Sequence, residues 1–129
     1  MELTAGQELE LRITPDRYVT IRYAGASGDF NPIHIDEEFA REVGLPGRIL
    51  HGLWSMAQVA RAATDAAGGD PLALTELSVQ FRGLGRPEQE IVVSGVVESV
   101  DDGVASVKLE ARQGDSRLVR GAVARLRAG

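Results

Sequence analysis

Residues 28–34, Gly-Asp-Phe-Asn-Pro-Ile-His, place a carboxylate and an imidazole five positions apart on either side of a proline. Neither regular element would bring Asp29 and His34 together, because residues five apart point to opposite faces of a strand and lie about 140° apart around a helix. A turn would do so, since Gly28 can adopt a positive φ and Pro32 fixes its own φ and pushes the preceding residue out of the α region. The stretch therefore predicts a bend that aims Asp29 and His34 at one point.

A carboxylate and an imidazole on one turn can hold a water molecule between them and move its protons in opposite directions. The alternative is that Asp29 only caps the turn and His34 is a structural histidine. Because the sequence GDFNP constrains the turn on both sides of the aspartate, we favour the chemical interpretation.

His51 and Gly52 stand at the start of residues 51–67, HGLWSMAQVARAATDAA, a segment whose pattern predicts a helix. The first N–H groups of a helix lack intrahelical acceptors and lie at the positive end of its dipole, so they favour a negative charge. Gly52 lets a ligand approach the backbone, and its N–H could stabilise a carbonyl oxygen that gains negative charge. The alternative is that Gly52 only relieves crowding where the helix meets a sheet. His51 is interpreted as a helix-start residue rather than a catalyst.

The next residues of this helix have side chains that could either pack in the core or contact a substrate. Trp54 and Met56 belong to its apolar part, where core packing is the usual role, although they could line a pocket. Ser55 and Gln58 could meet a substrate or belong to a solvated or interface stripe. Because the polar stripe is narrow, we expect the helix to be buried inside a sheet. That stripe consists of Ser55, Gln58, Arg61 and Asp65.

The segments before the long helix predict one strand and two helices. Residues 9–14, LELRIT, alternate as a strand does, and Thr14-Pro15-Asp16 indicates the start of a helix that ends near Gly28. Asp36 is predicted to cap a brief helix that Gly44 ends.

After residue 71 the pattern changes to valine-rich alternation in four segments. They are separated by turn sequences such as Asp101-Asp102-Gly103, and their close spacing favours antiparallel hairpins. The order of elements predicts an α+β protein in which a curved antiparallel sheet wraps one long central helix. The four segments are residues 77–81, 90–97, 104–111 and 118–126.

Composition restricts the class of protein. The 129 residues fit one domain, residues 1–129, and the formal net charge of −5 without a basic block argues against a nucleic-acid partner. There is no cysteine, and two histidines are too few for most zinc sites, so we expect neither a metal nor a cofactor. With no leader pattern and no run of about 18 apolar residues, we expect a cytoplasmic protein without a membrane partner.

With the motif and the helix placed, the chain resembles the MaoC-like hot-dog family, the (R)-specific enoyl-CoA hydratases and (3R)-hydroxyacyl-ACP dehydratases. The resemblance covers nearly the whole chain. It rests on YAGASGDFNPIHIDEEFA at residues 23–40, LHG at residues 50–52 and LTELSVQFRG at residues 74–83. It implies a single hot-dog domain that hydrates trans-2-enoyl thioesters of CoA or acyl carrier protein to (3R)-3-hydroxyacyl thioesters, and the reverse.

The resemblance also implies roles for individual residues. Asp29 and His34 would hold and activate water, and the Gly52 N–H would polarise the thioester carbonyl. Many hydratases carry a serine on the central helix that orients the aspartate, but the spacing from Gly52 leads here to Ala60, which has no hydroxyl. Asn31 would pin the motif loop or bond one of the catalytic pair. The expected substrate-binding residues are Asn31, His51, Trp54 and Ser55.

The family usually needs two hot dogs side by side to complete a site. The resemblance therefore implies a homodimer or higher oligomer, with a heterodimer containing a related hot-dog subunit also open. Two other functions remain possible at this point, a hot-dog acyl thioesterase and a non-catalytic acyl-binding partner of a heterodimeric dehydratase. The intact Asp29 and His34 argue against the partner role.

Overall fold

The computed structural model describes residues 2–128, and five antiparallel strands form its single described sheet. The strands are β1 (Glu8–Ile13), β2 (Leu74–Phe81), β3 (Ile91–Asp101), β4 (Val104–Gln113) and β5 (Ser116–Arg127). Across the sheet they follow the order β1-β3-β4-β5-β2. The helices are α1 (Val19–Ser27), α2 (Pro32–Ile35), α3 (Glu37–Glu42) and α4 (Gly52–Ala66), with a 3-10 turn at Pro71–Ala73.

Helix α4 supplies the centre of the core. Val59 and Ala63 are completely buried, and they belong to the same apolar cluster as Val93 and Val107 of the sheet. Alanine at several core-facing positions lets the sheet approach the helix closely. The arrangement confirms the predicted α+β hot-dog fold, a sheet wrapped around one long helix.

The polar stripe predicted on α4 is only half solvated. Ser55 and Gln58 are buried on the side of the helix that faces the sheet, whereas Arg61 and Asp65 are exposed. Leu53, on the side turned away from the sheet, is 61% exposed. One face of the central helix is therefore open in the single chain.

The hairpins that follow the predicted pattern are confirmed. Between β3 and β4, Asp102 and Gly103 both adopt positive φ, at 51° and 74°, which is the backbone of a type I′ turn. This turn matches the right-handed twist of the flanking strands, so the strands pair without splaying.

The predicted start of α1 is wrong. The helix begins at Val19, and its N-cap residue Tyr18 makes no side-chain capping bond. Residues 14–16, predicted to start the helix, lie before it, and the Asp16 carboxylate binds the guanidinium of Arg22 at 2.6 and 3.0 Å. The predicted end is confirmed, because Gly28 stops α1 with φ 79°.

The predicted cap of α3 is confirmed, because Asp36 Oδ1 accepts a hydrogen bond from the Phe39 N–H at 3.1 Å. Within residues 2–128, no helix combines the length and the apolar character needed to cross a membrane. The extent of the domain and the cellular compartment stay predictions.

Candidate active site

The motif loop is shaped by its own short polar side chains. The Asn31 N–H donates to Asp29 Oδ1 at 3.2 Å, and the Ile33 N–H donates to Asn31 Oδ1 at 3.2 Å. Pro32 occupies the first turn of α2, where a missing N–H costs nothing. The bend expected from the sequence is confirmed, and a single helical turn completes it. Asn31 caps that turn.

The bend brings Asp29 and His34 together. Asp29 Oδ2 lies 3.8 Å from His34 Nε2, with 53% of the aspartate side chain exposed and only 10% of the histidine side chain. This separation is too long for a direct hydrogen bond, but it allows one water molecule to contact both atoms. The pair therefore faces solvent on the carboxylate side and protein on the imidazole side.

His34 is held in one tautomer. Its Nδ1 lies 2.9 Å from the carbonyl oxygen of Ile49, which can only accept, so Nδ1 carries the proton. In the neutral ring Nε2 then carries the lone pair, and this is the nitrogen beside Asp29. The Ile49 N–H in turn donates to the carbonyl of Ile33 at 3.1 Å, so the two segments bind each other through their main chains as well.

His51 makes the reciprocal connection. Its Nε2 lies 3.0 Å from the carbonyl oxygen of Asp29, while its ring stacks on His34 with centroids 3.8 Å apart and planes 19° apart. Each histidine thus belongs to one segment and donates to the main chain of the other. The ring of Tyr23, from α1, packs against His51 at 4.8 Å. Sequence reasoning missed this contact, although Tyr23 stands in the motif.

His51 is 3% exposed, and its Nδ1 has no hydrogen-bond partner among residues 2–128. Burial lowers the pKa of His51 below the usual value, and the neighbouring His34 lowers it further, although the bond to the Asp29 carbonyl opposes them. Burial leads because a charged ring would lose its hydration without gaining a second acceptor. The ring of His51 is stacked on that of His34. The predicted contact of His51 with substrate stays a prediction.

Sequence reasoning also missed the network that fixes the segment before His51. The guanidinium of Arg48 donates to Thr20 Oγ1 at 3.2 Å, to the carbonyl of Arg17 at 2.9 Å and to Glu37 Oε2 at 3.3 Å. The Arg48 carbonyl accepts from the Arg86 side chain at 3.1 Å. No periodic signal marks a partly buried arginine in a loop, because its partners come from three separate segments, residues 17–20, residue 37 and residue 86.

Gly52 is the first residue of α4 and is exposed. Its N–H has no intrahelical acceptor by geometry, so it is available to a ligand. A Cβ placed on Gly52 would lie 3.3 Å from two atoms of the Phe81 ring, tighter than most real contacts. Both interpretations of Gly52 therefore have support, free approach to the backbone and relief of crowding.

The other predicted residues lie deeper. Trp54 is half-buried and packs against the apolar core, and Ser55 is buried. Ala60 is partly buried. The Asp29 carboxylate accepts a hydrogen bond from the Asn31 N–H, and Ala60 has no hydroxyl. Roles of Trp54 and Ser55 in substrate binding stay predictions.

Asp29, His34 and His51 are also residue types that could hold a metal ion, and one possible ligand atom from each lies within 4.8 Å of the others. The stacked rings argue against such use. A bound zinc lies about 2.0–2.1 Å from each nitrogen, in the plane of its ring, and two nearly parallel rings 3.8 Å apart cannot both satisfy this geometry. The absence of a metal nevertheless stays a prediction.

Comparison with known proteins gives consistent matches. The chain is 36% identical over 103 residues to the fatty acid synthase subunit beta of Aspergillus oryzae, covering 77% of this chain but 5% of that subunit. It is 43% identical over 56 residues to the peroxisomal enoyl-CoA hydratase 2 of Arabidopsis thaliana, covering 43% of this chain and 18% of that enzyme. The chain therefore spans a small part of the curated relatives that it matches.

Among solved structures, the ChsH1-ChsH2 complex from Mycobacterium tuberculosis superimposes with a TM-score of 0.86 at 25% identity, covering 98% of both chains. The family model described as MaoC like domain matches residues 2–117. This match includes the motif loop, the start of α4 and most of the sheet. The chain belongs to the MaoC-like dehydratase domain family.

Proposed function

We propose that this protein catalyses the reversible addition of water to trans-2-enoyl thioesters, giving (3R)-3-hydroxyacyl thioesters of CoA or acyl carrier protein. One observation carries the proposal. Asp29 Oδ2 and His34 Nε2 lie 3.8 Å apart, and the Nδ1–H of His34 already donates a hydrogen bond to the Ile49 carbonyl. Two acceptors thus lie close enough for one water molecule beside them to donate to both. The names of the relatives, a fatty acid synthase subunit and an enoyl-CoA hydratase, support this reaction class.

The reaction follows from these positions. A water molecule between Asp29 and His34 gives one proton to the pair as its oxygen bonds to C3 of the enoyl group. The C2=C3 π electrons move toward the carbonyl oxygen, where the Gly52 N–H stabilises the negative charge. The pair then delivers a proton to C2, so the elements of one water are added and the protein returns to its starting state. Dehydration follows the same path in reverse.

The direct test replaces Asp29 by asparagine. The D29N variant keeps an acceptor oxygen for the Asn31 N–H but cannot take a proton, so hydration of crotonyl-CoA should fall by about 10²–10⁴-fold. The measurement is the loss of enoyl absorbance, with chiral analysis of the product. Asp102→Asn is the matched control, because Asp102 lies in a remote hairpin turn at φ 51°, a conformation that asparagine tolerates. Equal activity of D29N and wild type would end the proposal.

The same assay separates the other functions. A thioesterase would release free thiol from acyl-CoA without changing enoyl absorbance through hydration. A non-catalytic partner subunit would show neither activity alone and would gain hydration only with a related chain. A series of enoyl-CoA substrates from short to long would then give the acyl-chain preference.

We also propose that the active form is a dimer. Beside Gly52 the single chain exposes Leu53 at 61% and Phe81 at 50%, and β2 pairs on one side only, with β5, among the described residues. Exposed apolar residues next to an unpaired strand edge form a surface that a second hot dog can cover. The solved ChsH1-ChsH2 complex has two named components, which supports assembly with a second chain, either an identical copy or a related hot-dog subunit.

The oligomer has its own test. Leu53→Glu places a charge on this surface and should shift the mass measured by light scattering from dimer to monomer. Ile21→Glu is the control, because Ile21 is 48% exposed on α1, a different helix. A wild-type monomer with full activity would contradict the dimer without affecting the proposed reaction.

A further inference from the structure

His51 is a buried titratable side chain that the proposed reaction does not use. It precedes Gly52 in the chain, forms the N-cap position of α4, and makes no side-chain capping bond there. Its only side-chain hydrogen bond among the described residues goes instead to the Asp29 carbonyl, at 3.0 Å. The side chain thus connects the helix start to the loop that carries the carboxylate.

The hydrogen bonding fixes the protonation of the ring. A carbonyl oxygen can only accept, so Nε2 carries the proton, and Nδ1 is fully buried without a partner in the part of the chain that the structure describes. A proton on Nδ1 would be a buried donor with no acceptor. The groups facing the ring are His34, Tyr23 and the Asp29 main chain. His51 is therefore suited to remain neutral while its neighbour His34 gains and loses a proton.

The stack adds a second constraint. The ring centroids of His34 and His51 lie 3.8 Å apart and the ring planes differ by 19°, so His51 packs against one face of the His34 ring. Because His51 also donates to the Asp29 carbonyl, this one side chain contacts both members of the reacting pair.

We propose that His51 is a positioning residue for the hydration reaction, which sets the Asp29–His34 separation through its Nε2–H bond to the Asp29 carbonyl and its stack on His34. This inference rests on the proposed function. It assigns His51 no contact with substrate, in contrast to the sequence-based expectation. Its effect should fall on the chemical step rather than on binding.

The first test is independent of activity. The protein contains two histidines, so nitrogen NMR of the untagged chain resolves both rings, and His34→Asn identifies the remaining one as His51. The expected signature is a neutral Nε2–H tautomer at neutral pH. An Nδ1–H tautomer, or a doubly protonated ring at pH 7, would overturn the proposal even if the enzyme is active.

The kinetic test uses two replacements that separate the stacking of the His51 ring on His34 from its hydrogen bond to the Asp29 carbonyl. His51→Phe keeps a flat ring on His34 but removes the donor, and it should lower kcat by about 10–100-fold, because misplacing a reacting group by about 1 Å costs up to about 100-fold. His51→Gln can reach the Asp29 carbonyl with its amide N–H and should recover part of that loss. KM should change little in either variant, since substrate binding is not removed.

A double variant separates positioning from general damage. Once Asp29 can no longer exchange a proton, holding it in place gains nothing, so D29N/H51F should be as active as D29N within about twofold. A structural role would instead reduce activity by the full His51→Phe factor in both backgrounds. Folding of each variant is checked by thermal unfolding, and His51→Gln serves if His51→Phe does not fold.

The outcomes distinguish the two proposals. A wild-type protein without hydratase activity contradicts the proposed function, and the tautomer measurement then decides the placement of His51. An active wild type with an equally active, folded His51→Phe variant contradicts only this inference.

Discussion

The site corner, which consists of residues 28–35 and 48–53, and the β3–β5 sheet are held together in different ways. In the sheet, neighbouring strands repeat the same backbone bonds, and apolar residues such as Val93, Val107 and Val119 bury similar surfaces. In the site corner, single side chains bind single main-chain carbonyls. His34 donates to Ile49 and His51 donates to Asp29. When one contact is lost, many equivalent contacts still hold the sheet, whereas in the site corner no equivalent contact replaces it.

Because the two regions are held differently, substitutions in them should have different effects on stability and on activity. A packed sheet keeps its shape when one contact weakens, because many equivalent contacts remain. The site corner depends on a few bonds that also set the distance between reacting atoms. Substitutions of the side chains that hold Asp29 and His34 should therefore affect the reaction more than folding, and substitutions in the sheet should do the reverse.

Among substitutions that keep both Asp29 and His34, the largest effect should come from removing the Gly52 N–H while keeping the helix. Proline is favoured at the first position of a helix, and His51, with ψ 136°, has the extended backbone that proline requires before it. Gly52→Pro should lower kcat/KM by about 100–1000-fold, the usual loss when one oxyanion donor is removed. Steady-state hydration of crotonyl-CoA measures it.

Gly52→Ala is the matched control for this change. Both variants place a Cβ against Phe81, at 3.3 Å, but only alanine keeps the N–H. The alanine variant should lose much less activity than the proline variant. Equal losses in both variants would show that crowding at Phe81, and not the missing donor, is responsible.

The next prediction tests how much the hydrogen bonds of Arg48 contribute to the free energy of unfolding. Arg48→Met removes the bonds to the Arg17 carbonyl and to the buried Thr20 hydroxyl, so the free energy of unfolding should fall by about 1–3 kcal/mol. Urea unfolding measures the loss. Arg41→Met is the control, because Arg41 reaches the same Glu37 at 3.7 Å from a largely exposed position, and no measurable change is expected. Similar losses in both variants would contradict the role of the Arg48 network.

The sequence predicted the elements that depend on local residues, and it did not show the contacts between distant segments. Alternation and turn sequences located the strands and the Asp102–Gly103 hairpin, because these elements depend on local periodicity and backbone preference. The bend at Asp29 was also local, set by a glycine, two short polar side chains and a proline.

What the sequence did not show depends on contacts between distant segments. The bond from His51 to Asp29 spans 22 positions and that from Arg48 to Thr20 spans 28, and neither leaves a repeating pattern. The start of α1 was misplaced for a related reason. Residues 14–16 have the types that start a helix, but they lie before α1, and Asp16 instead binds Arg22, six residues away.

A smaller effect should come from the sheet turn. Gly103 has φ 74° and open space around it, so Gly103→Ala costs only backbone strain, about 1 kcal/mol of unfolding free energy, with activity unchanged. Gly25→Ala is the opposite control. Gly25 lies inside α1, also in open space and without a positive φ, so alanine should stabilise by about 0.5–1 kcal/mol. Loss of activity in Gly103→Ala would show that the sheet end and the site corner are coupled.

The smallest effect concerns the pH dependence of stability. Burial lowers the pKa of His51 in the folded chain, so between the unfolded value near 6.5 and the lower folded value the unfolded chain binds more protons. The stability that His51 contributes is therefore complete above about pH 6.5 and is lost as the pH falls toward the folded pKa. Urea unfolding at pH 7.5 and 5.5 should show a smaller decrease for His51→Gln, which cannot titrate, than for wild type. Identical pH dependence in the two proteins would mean that His51 titrates normally in the folded state, and that the corner tolerates a charge beside His34.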